Sequence, residues 1–331
     1  MELILNLLTL KDKQREDFLR AAEGYEQIFA PGGALEDGQP IPSEFYRRAS
    51  VILGNPPVKE LAACENLRLL QTRSAGTDRY QRSGVLPEGV TLLSASGAYG
   101  HSVSEHMFAM LLSVMKRLPS YRDQQRSGTW SDLGPVKTLA GAQVLCVGTG
   151  DLGSSFARLC KALGARTAGV RRDARKPAEG IDEMYPMDRL DGLLARADVV
   201  ALMLPHSAST VHLMDHRRLL LMKKDAILLN GGRGTAVDCA ALAKVLEDGH
   251  LWGACLDVTD PEPLPADHPL WTQERAVLTP HTAGGDHLAD TADRIAAIAL
   301  EHLAAFISKP VREADNIVGM KDASRSRPIV C

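Results

Sequence analysis

A glycine-rich turn near the middle of the chain restricts its possible folds more than any other feature. Gly148, Gly150 and Gly153 form the pattern G-x-G-x-x-G between an apolar, strand-like run and a helix-like segment at 154–163. In a βαβ unit, such glycines make the tight turn, admit a pyrophosphate close to the backbone and let helix and strand pack closely. Free N–H groups at the start of the helix then face the phosphates. The pattern therefore predicts a dinucleotide site, and the residues expected to contact the cofactor are Gly150, Asp151 and Leu152.

Apolar runs alternate with helix-like segments on both sides of this turn. The runs before it are residues 2–8, 27–30, 51–54, 67–72 and 91–94. The run that leads into the turn is residues 143–147, and those after it are residues 166–170, 199–204, 226–230, 253–258 and 276–279. Continuous apolar runs that alternate with helices are typical of parallel sheets covered on both faces. The chain is therefore predicted to be an α/β protein.

The end of the second strand of the βαβ unit bears on which dinucleotide is bound. An NAD site carries an Asp or Glu about 20 residues after the turn, where it accepts the ribose hydroxyls. This chain instead has Arg171 and Arg172, followed by Asp173. Guanidinium groups pair with a 2′-phosphate, which a carboxylate would repel. The arginines therefore favour NADP as the cofactor. Two alternatives are that they form a solvated basic loop, and that NAD binds with Asp173 facing the ribose.

Composition argues against several classes of partner. The net charge is −3, so no basic surface for nucleic acid or an anionic membrane is expected. No stretch reaches the roughly 18 apolar residues of a membrane-spanning helix. The six cysteines are scattered and form no C-x-x-C pair, which is typical of a reducing compartment. We therefore expect a cytoplasmic protein, and we predict no metal site.

Three further motifs follow later strands of the series. They are Asn230-Gly-Gly-Arg233-Gly, Asp257-Val-Thr-Asp-Pro-Glu262-Pro and Pro280-His281. Open α/β sheets bind their ligands beyond the carboxyl ends of their strands, so these motifs are placed for function. Together with the glycine turn, they resemble the D-isomer-specific 2-hydroxyacid dehydrogenase family over essentially the whole chain.

The resemblance implies that a 2-oxo acid is reduced with NAD(P)H to a D-2-hydroxy acid. In that family the arginine of the first motif binds the substrate carboxylate and polarises the carbonyl, and this role falls on Arg233. Arginine suits it as a planar, permanently charged fork. The family's glutamate and histidine fall on Glu262 and His281, and a histidine exchanges protons near neutral pH while a carboxylate beside it favours the imidazolium. We therefore expect all three to be catalytic, with Arg233 and His281 also binding substrate.

The same resemblance implies supporting roles for other positions. Asp257 corresponds to the residue that faces the nicotinamide amide, although an acidic strand end could simply cap a turn. Ala75 and Gly76 lie in a loop whose backbone N–H groups meet the substrate carboxylate, although an ordinary glycine turn is the alternative. Pro205 and Thr210 fall on the adenosine side of the cofactor site.

Four further polar residues receive no catalytic or binding role from the resemblance. His101 and His106 lie on a predicted helix at 102–116, where structural packing is the expected role. His206 could face a 2′-phosphate or lie in a surface loop. Thr259 stands where the family often has an aromatic residue, which alters the packing beneath Glu262.

The resemblance also implies two Rossmann- or flavodoxin-like doubly wound domains with the active site in the cleft between them. Residues 1–99 and 288–331 are expected to form the substrate-binding domain, and residues 100–287 the dinucleotide-binding domain. Related enzymes are homodimers joined through their cofactor domains. The polar segment 121–139, predicted to be a loop-like arm, is a candidate partner element.

The identity of the substrate is left open by the residues of the predicted pocket. Glyoxylate, hydroxypyruvate, branched and aromatic 2-oxo acids all fit the resemblance, and the predicted NADP preference favours a glyoxylate or hydroxypyruvate reductase. A protein of a different class, an NAD(H)-sensing corepressor, has the same fold. Nothing in this sequence marks a nuclear or DNA-associated protein, which argues against that class.

Overall fold

The computed structural model describes residues 1–285 and 288–308. The described residues divide into two compact units, one formed by Met1–Ala98 with residues 288–308, and the other by Tyr99–Gly285. The domains predicted from the sequence include residues 286–287 and 309–331, which lie outside the described residues.

The first unit contains a five-stranded parallel sheet. Its strands are β1 (Leu3–Asn6), β2 (Glu26–Phe29), β3 (Ala49–Leu53), β4 (Leu69–Gln71) and β5 (Thr91–Leu93). Its helices before residue 98 are α1 (Asp12–Ala21), α2 (Ser43–Arg48) and α3 (Val58–Leu61). The spatial order β2-β1-β3-β4-β5 is the flavodoxin-like arrangement. Leu5, Ile52 and Leu70, one from each central strand, are fully buried in its core.

The second unit contains a seven-stranded parallel sheet. Its strands are β6 (Gln143–Val147), β7 (Arg166–Val170), β8 (Glu183–Tyr185), β9 (Val199–Leu202), β10 (Ile227–Asn230), β11 (Gly253–Leu256) and β12 (Ala276–Leu278). Its helices are α4 (Gly100–Met115), α5 (Leu118–Ser127), α6 (Asp151–Ala162), α7 (Leu190–Leu194), α8 (His216–Leu221) and α9 (Cys239–Glu247). The last described helix, α10 (Ala289–Ser308), belongs to the first unit.

The strand order of the second sheet determines where a ligand can bind. The order is β12-β11-β10-β9-β6-β7-β8, and all neighbours are parallel. From β6 to β8 successive strands are added on one side of β6, and from β9 to β12 on the other side, which is the Rossmann arrangement with its switch point between β6 and β9. Ligands of such sheets lie outside the carboxyl ends of the strands at this switch point. The prediction of an α/β chain with two doubly wound parallel sheets is confirmed.

Local sequence explains these elements. The central strands are continuous apolar runs because both faces of the sheet are covered, and Val200, Leu228 and Ala254 are fully buried. The Asp238 carboxylate accepts the N–H of Ala241 at 2.9 Å and caps the start of α9.

Two segments of the second unit are missed by the sequence prediction: β8, which lies in none of the predicted apolar runs, and a helix in the predicted arm. The loop-like arm predicted at 121–139 is helical up to Ser127, since α5 begins at Leu118 and ends at Gly128 in a left-handed conformation with φ of 67°. Pro119 suits the first turn of a helix, and Gly128 suits its end. The prediction was wrong there because α5 buries none of its side chains and therefore shows no apolar stripe.

The described cysteines are all buried free thiols: Cys64, Cys146, Cys160, Cys239 and Cys255. Burial raises the pKa of the Cys146 thiol to about 12, and burial with the nearby Glu60 raises the pKa of Cys64 to about 11. Because the thiolate is the nucleophile, these cysteines are not suited to catalysis. Over residues 1–285 and 288–308, every helix is too short or too polar to cross a membrane.

We predict that Asp182→Asn lowers the free energy of unfolding near neutral pH and that this loss disappears in acid. Lys161 and the N–H and hydroxyl of Thr167 bond to the Asp182 carboxylate at the start of β8, and these bonds lower its pKa. A carboxylate with a lowered pKa stabilises the fold above its unfolded value of about 3.9, and the contribution is lost as the pH falls through the folded value. Urea unfolding across this range measures the difference, with the exposed Asp188→Asn as control. A difference that does not depend on pH would contradict the assignment.

Candidate active site

The glycine turn joins β6 to α6 with two glycines packed and one open. A Cβ at Gly153 would overlap the carbonyl oxygen of Gly148, and one at Gly148 would lie 2.5 Å from the carbonyl oxygen of Met203. A Cβ at Gly150 would meet nothing within 4 Å. The backbone at Gly150 is therefore open to a ligand, as close approach of a pyrophosphate requires.

The helix after the turn begins at Asp151, earlier than the sequence-predicted start at residue 154. The sequence pattern missed its first turn because Gly153 lies inside it and glycine is a poor helix former. The Asp151 carboxylate lies against Gly100, the first residue of α4, where a Cβ would overlap it. Leu152 is partly exposed. Because the helix begins at Asp151, the backbone N–H groups of Asp151 and Leu152 lie in its first turn. They have no acceptor within the helix and are available to a ligand.

The arginine pair follows β7 at the same edge of the sheet. Arg171 donates its backbone N–H to the carbonyl of Tyr185 at 3.1 Å, which holds the turn, and Arg172 is exposed. Asp173 binds Arg175, with Nε at 2.9 Å from Oδ1 and Nη2 at 3.3 Å from Oδ2. These hydrogen bonds lower the pKa of Asp173. The Asp173 carboxylate is therefore paired with Arg175 at the surface.

The loop after β9 holds the predicted adenosine-side residues. The Thr210 hydroxyl donates to the carbonyl of Pro205 at 2.9 Å and accepts the N–H of Ser207 at 2.9 Å, so it closes the loop on itself. His206 places Nδ1 3.0 Å from the hydroxyl oxygen of Thr235. His206 therefore joins this loop to the segment that carries Arg233.

Asn230, at the end of β10, shapes the turn before Arg233. Its side-chain amide donates to the carbonyl of Arg233 at 2.9 Å and accepts the N–H of Gly232 at 3.2 Å. Asn230 is completely buried, and Arg233 is half-buried. Sequence reasoning used Asn230 only as part of a motif. Its position before two glycines was the available signal, since an asparagine there can bond to its own turn.

Glu262 and His281 come together after the two neighbouring strands, β11 and β12. Nδ1 of His281 lies 2.6 Å from Oε1 of Glu262, and their side chains are 48% and 41% exposed. The segment of Arg233 approaches the same loop, because a Cβ at Gly234 would overlap the backbone carbonyl of Thr259. The Thr259 hydroxyl donates to the carbonyl of Pro261 at 2.9 Å, within the loop that leads to Glu262.

Asp257 is buried directly after β11 and binds the segment that contains His281. Its Oδ1 accepts the hydroxyl of Thr279 at 2.6 Å and the N–H of Thr282 at 3.0 Å, and its Oδ2 accepts the N–H of Ala283 at 3.1 Å. The structure thus gives Asp257 the turn-capping contacts that were the alternative to a role at the nicotinamide.

The predicted substrate loop lies in the first unit, after β4. The Ser74 hydroxyl donates to the carbonyl of Gly76 at 2.7 Å, and Asn55 accepts the N–H of Arg73 at 3.1 Å. Ala75 and Gly76 are partly exposed at the carboxyl edge of that sheet. Within the described residues, no group of three or more His, Cys, Asp or Glu side chains is arranged to hold a metal ion.

Comparisons with known proteins identify the family. A family model described as D-isomer specific 2-hydroxyacid dehydrogenase, NAD binding domain, matches residues 108–283. Glyoxylate/hydroxypyruvate reductase B from Yersinia pestis is 30% identical over 295 residues, which cover 85% of this chain and 88% of that relative.

Two solved structures extend the similarity to the whole fold. A D-isomer specific 2-hydroxyacid dehydrogenase family protein from Aeromonas salmonicida aligns with a TM-score of 0.81 and 31% identity, over 97% of this chain and 99% of that chain. The D-isomer specific 2-hydroxyacid dehydrogenase from Xanthobacter autotrophicus, in complex with NADPH and MES, aligns with a TM-score of 0.77 and 27% identity, over 96% and 98%. The chain therefore belongs to the D-isomer-specific 2-hydroxyacid dehydrogenase family, and it is an oxidoreductase with the NAD-binding domain of that family.

We predict that alanine affects stability at one glycine of the turn and cofactor binding at another. Gly153→Ala should destabilise the fold, because about 1 kcal/mol of helix propensity does not offset about 1–3 kcal/mol of overpacking against backbone that cannot rotate away. Gly150→Ala should leave the melting temperature nearly unchanged but weaken NADPH binding about tenfold or more, since its methyl group occupies the open face. Thermal unfolding and NADPH titration of both variants measure this. Normal NADPH affinity in Gly150→Ala would contradict the predicted position of the pyrophosphate.

Proposed function

We propose that the chain reduces a small 2-oxo acid to the D-2-hydroxy acid and that NADPH is its preferred cofactor. The observation that carries the proposal is the 2.6 Å contact between His281 and Glu262. Glu262 follows β11, which is paired with β10, the strand that precedes Arg233. A carboxylate-oriented imidazole and a guanidinium supply the proton and the anion anchor that this reaction needs. Bound NADPH supplies the hydride that the carbonyl carbon receives.

His281 is proposed as the acid that protonates the carbonyl oxygen. Because the Nδ1–H group donates a hydrogen bond to Glu262, Nε2 is the ring nitrogen left to face a substrate. In the reductive direction the imidazolium gives its Nε2 proton to the oxygen and becomes neutral. In the reverse direction the neutral ring takes that proton back, and Glu262 holds the ring orientation throughout.

Arg233 is proposed to bind the substrate carboxylate and polarise its carbonyl. A guanidinium stays charged at any working pH and presents parallel N–H donors to a carboxylate. Asn230 fixes the backbone of Arg233, and Gly234 lets that backbone approach Thr259 closely. The guanidinium itself donates from Nη1 to the carbonyl of Gly232 at 3.0 Å, which holds the side chain beside its own turn and favours orientation of the substrate. We further propose that the backbone N–H groups of Ala75 and Gly76 contribute to substrate binding.

The cofactor preference is argued from the arginines after β7. Arg171 and Arg172 can pair with a 2′-phosphate, while the carboxylate that would bind a ribose hydroxyl, Asp173, is paired with Arg175. The relative from Xanthobacter autotrophicus was solved with NADPH. The remaining proposed contacts are the backbone at Gly150, Asp151 and Leu152 and the loop of Pro205 and Thr210. The proposed role of Asp257 is instead to cap the turn that carries His281.

A narrower activity, reduction of glyoxylate or hydroxypyruvate, is favoured by the Yersinia pestis relative of that name. A panel of 2-oxo acids assayed with NADPH and with NADH tests both levels of the proposal. Turnover of glyoxylate or hydroxypyruvate far above larger acids supports the narrower activity. No oxidation of NADPH by any acid, together with binding of the cofactor, would favour a cofactor-sensing protein instead.

We propose a homodimer and a cytoplasmic location. Trp130 is fully exposed and Leu118 and Val136 are about half exposed, so the segment around α5 offers apolar surface for a second copy of the chain. A monomer mass in sedimentation would contradict the dimer. The free thiols of the described residues fit a reducing compartment, and recovery from a secreted fraction would contradict the location.

We predict that His281→Ala nearly abolishes reduction while NADPH binding stays intact. The reaction loses its proton donor, and removal of a general acid typically costs about 10²–10⁴-fold in rate. Stopped-flow rates and NADPH titration measure the two effects, with the exposed His216→Ala as control. Normal turnover in His281→Ala would remove His281 from the mechanism.

We predict that Arg171→Asp shifts the preference from NADPH towards NADH. The new carboxylate repels a 2′-phosphate and can accept ribose hydroxyls. The ratio of kcat/KM for the two cofactors measures the shift. The control is Arg196→Asp, which makes the same charge change at the exposed residue before β9, at the opposite edge of the sheet. An unchanged ratio in Arg171→Asp would contradict the phosphate-binding role.

A further inference from the structure

The segment that carries His281 is attached to Asp257 on both sides of the histidine. The Asp257 carboxylate binds Thr279 before it and Thr282 and Ala283 after it. The N–H of His281 itself donates to the main-chain carbonyl of Asp257 at 2.8 Å. The orientation of His281 therefore depends on where Asp257 and its partners are held.

His281 needs such support because its backbone is strained. Its φ is 50°, in the left-handed region, which is unfavourable for a residue with a Cβ. Such a conformation persists only where surrounding contacts impose it. Weakening those contacts would let the backbone relax and would turn the imidazole away from its position.

The hydroxyl of Thr279 links this segment to His106 on α4. Thr279 Oγ1 lies 2.6 Å from Asp257 Oδ1 and 3.0 Å from His106 Nε2. The Thr279 hydroxyl donates its single hydrogen to Asp257 Oδ1, so towards His106 it can only accept. His106 must therefore carry a hydrogen on Nε2 and donate it to Thr279. His106 is 3.8 Å from Asp257 Oδ1, beyond direct hydrogen-bond distance, so Thr279 is the link.

A second side chain of α4 holds the other end of the segment. The Ser102 hydroxyl donates to the carbonyl of Ala283 at 2.6 Å. Ser102 and His106 are four positions apart and lie on the same face of the helix. α4 thus binds the segment at Thr279 and at Ala283, with His281 between them.

We propose that His106 is a positioning residue for His281: its Nε2–H fixes the Thr279 hydroxyl, which fixes Asp257 and with it the strained backbone of His281. This inference rests on the proposed role of His281 as the proton donor. It gives His106, which the sequence assigned only to packing, an effect on the rate of the reaction.

Paired variants separate positioning from simple packing. Thr279→Val keeps the shape and removes the hydroxyl, while Thr279→Ser keeps the hydroxyl. His106→Leu removes the donor, while His106→Gln keeps an N–H donor near the position of Nε2. We expect Thr279→Val and His106→Leu to lower kcat on the order of 10–100-fold, with KM and NADPH affinity within about twofold, because a misplaced acid slows the chemical step.

The conservative variants and an unrelated threonine complete the test. We expect Thr279→Ser and His106→Gln to recover most of the rate lost in Thr279→Val and His106→Leu. Thr272→Val, on the exposed turn Pro269–Thr272, is the matched control. A normal kcat in a folded Thr279→Val would overturn the inference, and so would equal losses in Thr279→Val and Thr279→Ser.

A spectroscopic measurement tests the network without any activity. Long-range ¹H–¹⁵N correlation of the histidine-labelled wild-type protein, with His106→Gln for assignment, should show a hydrogen on Nε2 of His106. Thr279→Val should shift the ring signals of His281. A neutral His106 with its hydrogen on Nδ1 would overturn the inference.

The two proposals fail in different ways. Full turnover in His281→Ala would overturn the proposed function, and with it the inference, which rests on that function. If His281→Ala is inactive and Thr279→Val is not impaired, only the inference fails.

Discussion

Parallel pairing of β10, β11 and β12 is the constraint on which the rest of the candidate site depends. Because neighbouring strands run in the same direction, the residues that follow each of them emerge at one edge. Arg233, Glu262 and His281 are far apart in sequence, yet each comes shortly after one of these strands. The sheet brings their segments to a common edge, and the contacts of Gly234 with Thr259 and of Glu262 with His281 then join them.

Much of this arrangement could be predicted because its signals are local. The glycine turn and the residues after each strand are encoded within a few positions, and apolar runs mark the strands. α5 could not be recognised, because a helix that buries no side chains carries no apolar period. The bond from His106 to Thr279 joins residues 173 positions apart. Neither residue has a local pattern that names its partner, so only the folded chain shows it.

Backbone contacts, more than side-chain packing, determine the geometry of the loops at the carboxyl edge. The carbonyl oxygens of Gly148 and Met203 occupy the space where side chains at Gly153 and Gly148 would lie, and Asn230 bonds to its own turn. Thr210 likewise closes its loop with its own hydroxyl. Such loops lose little conformational entropy when a ligand binds, because they are already ordered.

The three glycines of the dinucleotide turn are subject to different constraints. Gly148 and Gly153 are required by their neighbours in the folded chain, whether or not a nucleotide ever binds. Gly150 has no neighbour that requires it. A descendant that kept this architecture and abandoned the coenzyme would be free to replace Gly150 alone, so the residue at that position reports on the ligand, and the residues at the other two report on the scaffold.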